Sequence, residues 1–145
     1  MKVSIASDHA GFEEKELLKP YLVELGHEVI DRGPDSDDRV DYPDFAELVA
    51  KDVAGGEADR GVLVCGTGIG MAIAANKVDG IRAANVTTPE FAALSREHND
   101  ANIVTVSGRF VTDETNRAIV KAFLEAEFGG GRQEGRVAKI MALEQ

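Results

Sequence analysis

The chain has 145 residues, one domain's worth, and its 43% hydrophobic content is enough for a real core, with ~70% of the unfolded surface hidden on folding. Sixteen basic against 26 acidic residues give a formal charge of −10, which argues against a nucleic-acid protein held by bulk attraction to phosphate. One cysteine allows no intrachain disulfide and fits a reducing cytoplasm; no apolar run approaches ~20 residues and no signal-peptide pattern opens the chain, so neither membrane spanning nor secretion is expected.

In chain order, Lys2–Ser7 reads as a short buried strand ended by Asp8-His9-Ala10-Gly11. Apolar residues at 17, 18, 21, 22 and 25 predict a helix over Phe12–Leu25, with Gly26 where a C-terminal cap belongs. Pro20 falls inside that pattern and is expected to kink the helix or end its first half. His27–Asp31 is a second strand, and 33–41 a polar loop. Pro43 suits the first turn of a helix carrying Phe45, Leu48, Val49 and Val53, stopped by Gly55-Gly56. Gly61–Cys65 is a third strand, apolar without alternation and so buried on both faces. It runs through Gly66-Thr-Gly-Ile-Gly70 into a helix from Met71 to about Lys77. Strand four is expected over Ile81–Val86, a helix from Pro89 to near His98, and strand five over Ile103–Ser107. Thr112–Glu127 is amphipathic through Ile119, Val120, Phe123 and Leu124, and Gly129–Gly131 precedes a last helix over about 133–143. This alternation predicts βαβ units around a parallel sheet, a three-layer α/β/α sandwich forming one domain over 1–145.

In an open parallel sheet, ligands bind beyond the carboxyl ends of the strands. Those ends carry Asp8 and His9, then Cys65 to Gly70, then Ser107 to Arg109. The glycine run is not a dinucleotide fingerprint, because Met71 displaces the third glycine, nor a Walker loop, because Thr67 rather than Lys follows Gly66. It is a tight strand-to-helix turn or an anion cradle, and three glycines before a helix favour the cradle. Cys65 is open between a buried core thiol and a reactive one; its place at a helix N-terminus favours the thiolate. A C-x5-R phosphatase loop is excluded by Met71. His98 reads as a helix-end cap and His27 as structural, while Asp35, Asp37, Asp38, Asp41 and Asp44 form a solvated loop, since an EF-hand needs Gly where Val40 stands. No metal-ligand spacing is present. The first 60 residues carry 16 acids against 7 bases. Arg132 and Arg136 lie four apart on one helix face in the less acidic tail, either as a solvated pair or as a phosphate clamp.

Taken in order, several stretches resemble the family of type B ribose-5-phosphate isomerases, with its galactose-6-phosphate and allose-6-phosphate relatives. They are Ser7-Asp-His-Ala-Gly-Phe12, Asp41-Tyr-Pro43, Val64-Cys-Gly-Thr-Gly-Ile-Gly70, Ile73-Ala-Ala-Asn-Lys77, Gly80-Ile-Arg82, Ser95-Arg-Glu-His-Asn-Asp100, Gly130-Gly-Arg132 and Arg136. The resemblance implies a five-stranded sheet of order 2-1-3-5-4 and an aldose–ketose isomerase working through a cis-enediolate, with no metal or cofactor. It implies Cys65 as the base that moves the proton between C1 and C2, Thr67 as the group handling the hydroxyl proton, and Gly66, Gly68, Ile69 and Gly70 as the enediolate cradle. His98 would open the furanose ring with Asp8. His9, Arg109, Arg132 and Arg136 would hold the phosphate end, and Asn99 a sugar hydroxyl. The family's homodimer, or a dimer of such dimers, shares its sites, with His98, Asn99 and Arg109 from the partner chain and the last helix at the interface.

Two positions depart from the family pattern. Gln133 replaces a common His after Gly-Gly-Arg, and Met71 stands where a cysteine-free branch carries a glutamate base. The expected activity is therefore thiol-based interconversion of D-ribose 5-phosphate and D-ribulose 5-phosphate, in the cytoplasm and the pentose phosphate pathway. The alternatives are another sugar phosphate, such as allose or galactose 6-phosphate, and a non-catalytic phosphate-binding α/β module.

Overall fold

A computed structural model describes residues 1–144, so Gln145, the last residue of the expected domain, lies outside it. The elements are β1 (Lys2–Ser7), α1 (Phe12–Glu24), β2 (Glu28–Asp31), α2 (Tyr42–Ala54), β3 (Arg60–Cys65) and α3 (Ile69–Ala75). They continue with β4 (Ala83–Asn85), α4 (Pro89–Asn99), β5 (Ile103–Ser107), α5 (Asp113–Glu125) and α6 (Arg132–Met141). All four strand pairings are parallel and the sheet order is β2-β1-β3-β5-β4, as the resemblance implies. Cys65 pairs in register with Ser107, which brings the ends of β3 and β5 together.

The central strands are apolar without alternation because both their faces are covered. On one face Val3, Ile5, Val62, Val64, Val104 and Val106 pack with Leu18 and Leu22 of α1, Ala92 of α4 and Phe123 of α5. On the other, Ala6, Leu63 and Cys65 meet Ala46 and Val49 of α2 and Met71 and Ala75 of α3. Three layers result, with the thiol on the α2–α3 side.

Most boundaries shift by a residue or two from the sequence reading, and α1, β4 and α3 differ for reasons that can be named. Pro20 does not end α1: the helix runs unbroken to Glu24. Pro removes one intrahelical bond there, but Leu18 and Leu22 on either side are fully buried and hold the helix together. It ends in a Schellman arrangement, with Gly26 at φ 94 and the His27 N–H bonded to Leu22 O. Strand β4 is shorter than expected, because Ile81 closes a turn on Val78 O and Arg82 N–H is taken by Asn102 Oδ1. Helix α3 begins at Ile69, so Gly70 lies inside the helix rather than in the loop.

Gly11 marks where α1 is pressed against the sheet. A Cβ there would overlap the Val64 carbonyl oxygen and stand 2.6 Å from its carbon. Backbone cannot rotate away as a side chain can. Gly11→Ala is expected to cost about 1–3 kcal/mol, read as a thermal midpoint lowered by several degrees.

Candidate active site

The turn after β3 is built around the thiol. Gly68 adopts φ 86, the left-handed region glycine tolerates. A Cβ at this position would collide with the Asn85 amide and lie 3.0 Å from Val106 O. The turn lets the Gly68 N–H donate to Cys65 Sγ at 3.1 Å. The Ile69 N–H likewise donates to Thr67 Oγ1 at 3.1 Å, leaving that hydroxyl exposed with its own proton free to turn outward. A backbone donor is thus aimed at the sulfur from within its own turn.

The turn's carbonyls are fastened by neighbouring strands. Ser107 Oγ donates to Gly66 O at 2.6 Å, and Thr105 Oγ1 donates to Gly68 O at 2.8 Å. Asn85 Nδ2 reaches Thr67 O at 3.3 Å and Thr105 Oγ1 at 3.1 Å. Because each peptide is planar, fixing a carbonyl also fixes the next residue's N–H on the opposite side. The N–H groups of Gly66, Thr67, Gly70 and Met71 find no acceptor among the described residues. Those of Gly68 and Ile69 are already engaged, so the cradle offers part of the expected amide run.

The sequence marks Ser107 only by its place at the end of β5, and does not mark Thr105 or Asn85 as site residues. Their one signal is the two-residue spacing of Thr105 and Ser107 on β5, which puts both hydroxyls on one face of the strand. Tyr42 was also unassigned: its ring covers Gly70, where a Cβ would stand 2.7 Å from Tyr42 Cε1.

Asp8 and His9 follow β1 on the same edge. Asp8 is 7% exposed, and its carboxylate accepts the Gly11 N–H at 2.9 Å, closing the turn into α1. His9 Nδ1 accepts the Val40 N–H at 3.3 Å, tying loop 33–41 to the site and leaving the proton of a neutral ring on Nε2. Arg109 N–H donates to Gly66 O, and a Cβ built at Gly66 would lie 3.5 Å from Arg109 Nη1. Arg109, which the resemblance assigns to the partner, thus lies in this protomer beside the cradle. A cleft of about 530 Å³ opens here, lined by Thr67, Ile69, Asn85, Ser107 and Phe110 with their neighbours.

The remaining predicted residues are elsewhere. Helix α4 leaves the carboxyl end of β4 and runs back along the sheet, so His98 and Asn99 sit exposed just before the start of β5. The five residues of β5, at ~3.3 Å each, separate that end from Ser107 and Cys65 by roughly 13–17 Å. The Gly129 N–H donates to Glu97 O at 3.0 Å, placing the Gly129–Gly131 turn and the start of α6 beside His98. Arg132 and Arg136 are exposed on α6. Asn99 borders a larger cleft of about 740 Å³, which also holds Lys77, Arg82 and Ile140 and lies away from the thiol. The predicted residues therefore fall into two groups at opposite ends of the sheet.

A parallel α/β sheet with a thiol, a fastened glycine turn and a histidine at its carboxyl edge defines a single-sheet α/β enzyme of the kind that binds ligands beyond its strand ends. Residues 3–140 match the Ribose/Galactose Isomerase family, and the chain belongs to that family of aldose–ketose isomerases. It is 49% identical over 144 residues to ribose-5-phosphate isomerase B of Escherichia coli, covering 99% of this chain and 97% of the relative. The solved ribose-5-phosphate isomerase B of Clostridium thermocellum superposes with a TM-score of 0.98 at 50% identity, covering 99% of this chain and 97% of that one. That of Mycoplasma genitalium, solved with bound ribulose-5-phosphate, gives 0.95 at 46% identity and covers 99% and 95%. The relatives also include the galactose-6-phosphate isomerase subunit LacB of Clostridium acetobutylicum, 40% identical over 96% of this chain and 80% of its own length.

Proposed function

We propose that the protein interconverts D-ribose 5-phosphate and D-ribulose 5-phosphate in the cytoplasm, as a step of the pentose phosphate pathway, with Cys65 as the base. The observation that carries this reading is the Gly68 N–H aimed at Cys65 Sγ inside a turn whose carbonyls are tied back. Substrate enters as a ring, which His98 opens with Asp8. The thiolate then takes the C2 proton and charge develops on the carbonyl oxygen. The unengaged cradle amides meet that charge, each well-aimed donor being worth ~2.7–4 kcal/mol. Thr67 passes the hydroxyl proton between O2 and O1, and the Cys65 thiol returns its proton to C1. His9, Arg109, Arg132 and Arg136 hold the phosphate end, and Asn99 a hydroxyl.

The two half-sites become one only in a dimer, where the His98 end of one protomer faces the Cys65 end of its partner. Ile69, Ile73, Phe91 and Phe110 are large apolar residues left exposed on the single chain, as an interface requires. In this arrangement α6 lies at the interface and the whole chain works as one isomerase domain.

The substrate is tested by comparing kcat/KM across pentose and hexose phosphates. Highest efficiency with ribose 5-phosphate is expected, and preference for allose or galactose 6-phosphate would reassign it. Arg136→Ala should raise KM for the phosphorylated sugar by about tenfold or more, as loss of a charged hydrogen bond does. Unchanged kinetics would remove Arg136 from the site.

A further inference from the structure

The end of α4 exposes His98 and Asn99 to solvent, yet the residues on either side of them are held by side-chain bonds. Asp100, which closes the helix, adopts φ 48 and ψ 43 and is the one non-glycine residue with positive φ among the described residues. Glycine is the usual occupant of that left-handed position; aspartate enters it where its short side chain finds local partners. Here the partners are two arginines. Arg96 Nη1 donates to Asp100 Oδ1 and to Ala101 O, both at 2.7 Å, so one side chain closes the segment containing His98 and Asn99 into a loop. Arg96 is 4% exposed, and Asp100 is its only ion-pair partner among the described residues, so the carboxylate also balances a buried charge.

The second arginine ties this helix end to the sheet. Arg82, just before β4, donates from Nε to Asp100 O at 2.8 Å, and its Nη2 stands 3.4 Å from Asp100 Oδ2. The backbone of Arg82 is itself pinned by Asn102. Asn102 Oδ1 accepts the Arg82 N–H at 2.9 Å, and the Asn102 N–H donates to Arg82 O at 2.9 Å.

We propose that Asp100 is a positioning residue for His98: clasped between Arg82 and Arg96, it fixes the last turn of α4 and with it the imidazole that opens the substrate ring. The carbonyls of a helix's last turn lack intrahelical partners, and the turn frays when nothing else holds it. Here the left-handed turn at Asp100 sends its own N–H to Arg96 O at 3.1 Å and the Ala101 N–H to Ser95 O at 3.0 Å. An exposed imidazole takes little orientation from packing, so the backbone that carries it decides where it points. A group that moves a proton must come within hydrogen-bond reach of its target, and a misplacement of ~1 Å can cost about 10²-fold.

The role assigned to Asp100 rests on the isomerase reading; the clasp itself does not. Two reactions separate ring opening from proton transfer. Ribose 5-phosphate is a furanose that must be opened. Ribulose 5-phosphate is acyclic, because its C5 oxygen carries the phosphate, so exchange of its C1 proton with solvent needs the Cys65 base but no ring opening. Asp100→Gly keeps the left-handed backbone and removes the carboxylate. It should lower kcat/KM for ribose 5-phosphate by about 10- to 100-fold and change C1 exchange of ribulose 5-phosphate by less than about twofold. Asp100→Asn keeps the backbone and an acceptor for Arg96, and should restore most of the activity. Arg82→Lys keeps a positive charge but not the fork; it should show the same selective loss, and it serves if Asp100→Gly does not fold. Amide hydrogen exchange over Glu97–Ala101 reads the clasp without substrate and should be about tenfold faster in Arg82→Lys than in wild type, with α5 unchanged. Equal losses in the two reactions, or none in the first, overturn the proposal, as does unchanged amide exchange in Arg82→Lys. A wild type without turnover, with the faster amide exchange of the variant still seen, counts against the isomerase reading alone.

Discussion

Replacing Cys65 with Ala or Ser should lower kcat for ribose 5-phosphate by about 10²–10⁴-fold, the range for a positioned proton-transfer group, with KM much less affected. The two variants separate chemistry from packing. Cys65 is 5% exposed among Ala6, Leu63 and Met71, so Ala opens a small void and leaves the Gly68 N–H without its acceptor, at a cost of about 1–3 kcal/mol. Ser keeps an acceptor and nearly the same volume, but its hydroxyl is not ionised at neutral pH. If both variants fold and both lose exchange of the C2 proton with solvent, the sulfur is the base. If the Ser variant exchanges that proton at close to the wild-type rate, another group takes it. A sugar C–H is too weakly acidic for a thiolate alone, so a base displaced from the amide cradle would also fail. The experiment therefore tests the placement of Cys65 as much as its identity.

What could be read in the sequence follows the range over which each interaction acts. Strand β5 falls at Ile103–Ser107 as expected, and α5 covers most of its predicted span because Ile119, Val120, Phe123 and Leu124 form one local stripe. Cys65 and its glycines are contiguous, so their shared turn was visible. The groups that fasten that turn were not. Thr105 is 37 residues from Gly68 and Ser107 is 41 from Gly66; they meet only because β3 and β5 are neighbours in the sheet. No window of sequence contains that pairing. Pro20 and Gly70 misled in the opposite sense. Both are local helix breakers, and burial of Leu18, Leu22, Met71 and Ala75 overrode them. His98 shows a third limit: its motif was legible, but its place at the far end of the sheet from Cys65 emerges only once the parallel topology is known.

That separation leads to the sharpest test of the shared site. Cys65→Ala removes function from one end of a protomer, and a His98→Ala/Arg132→Ala double variant removes it from the other. Each homodimer should be nearly inactive. In a two-fold dimer the same pair of surfaces meets twice. A heterodimer of the two variants therefore contains one site with both defects and one with none. Two differently tagged chains, unfolded together, refolded and purified through both tags, should show about half of wild-type activity, and a random mixture about a quarter. Were each site complete within one chain, every protomer would carry a defect and mixing would restore nothing. An inactive doubly tagged dimer would then require His98 and Arg132 to act by some route within their own protomer, across the roughly 13–17 Å that the length of β5 imposes.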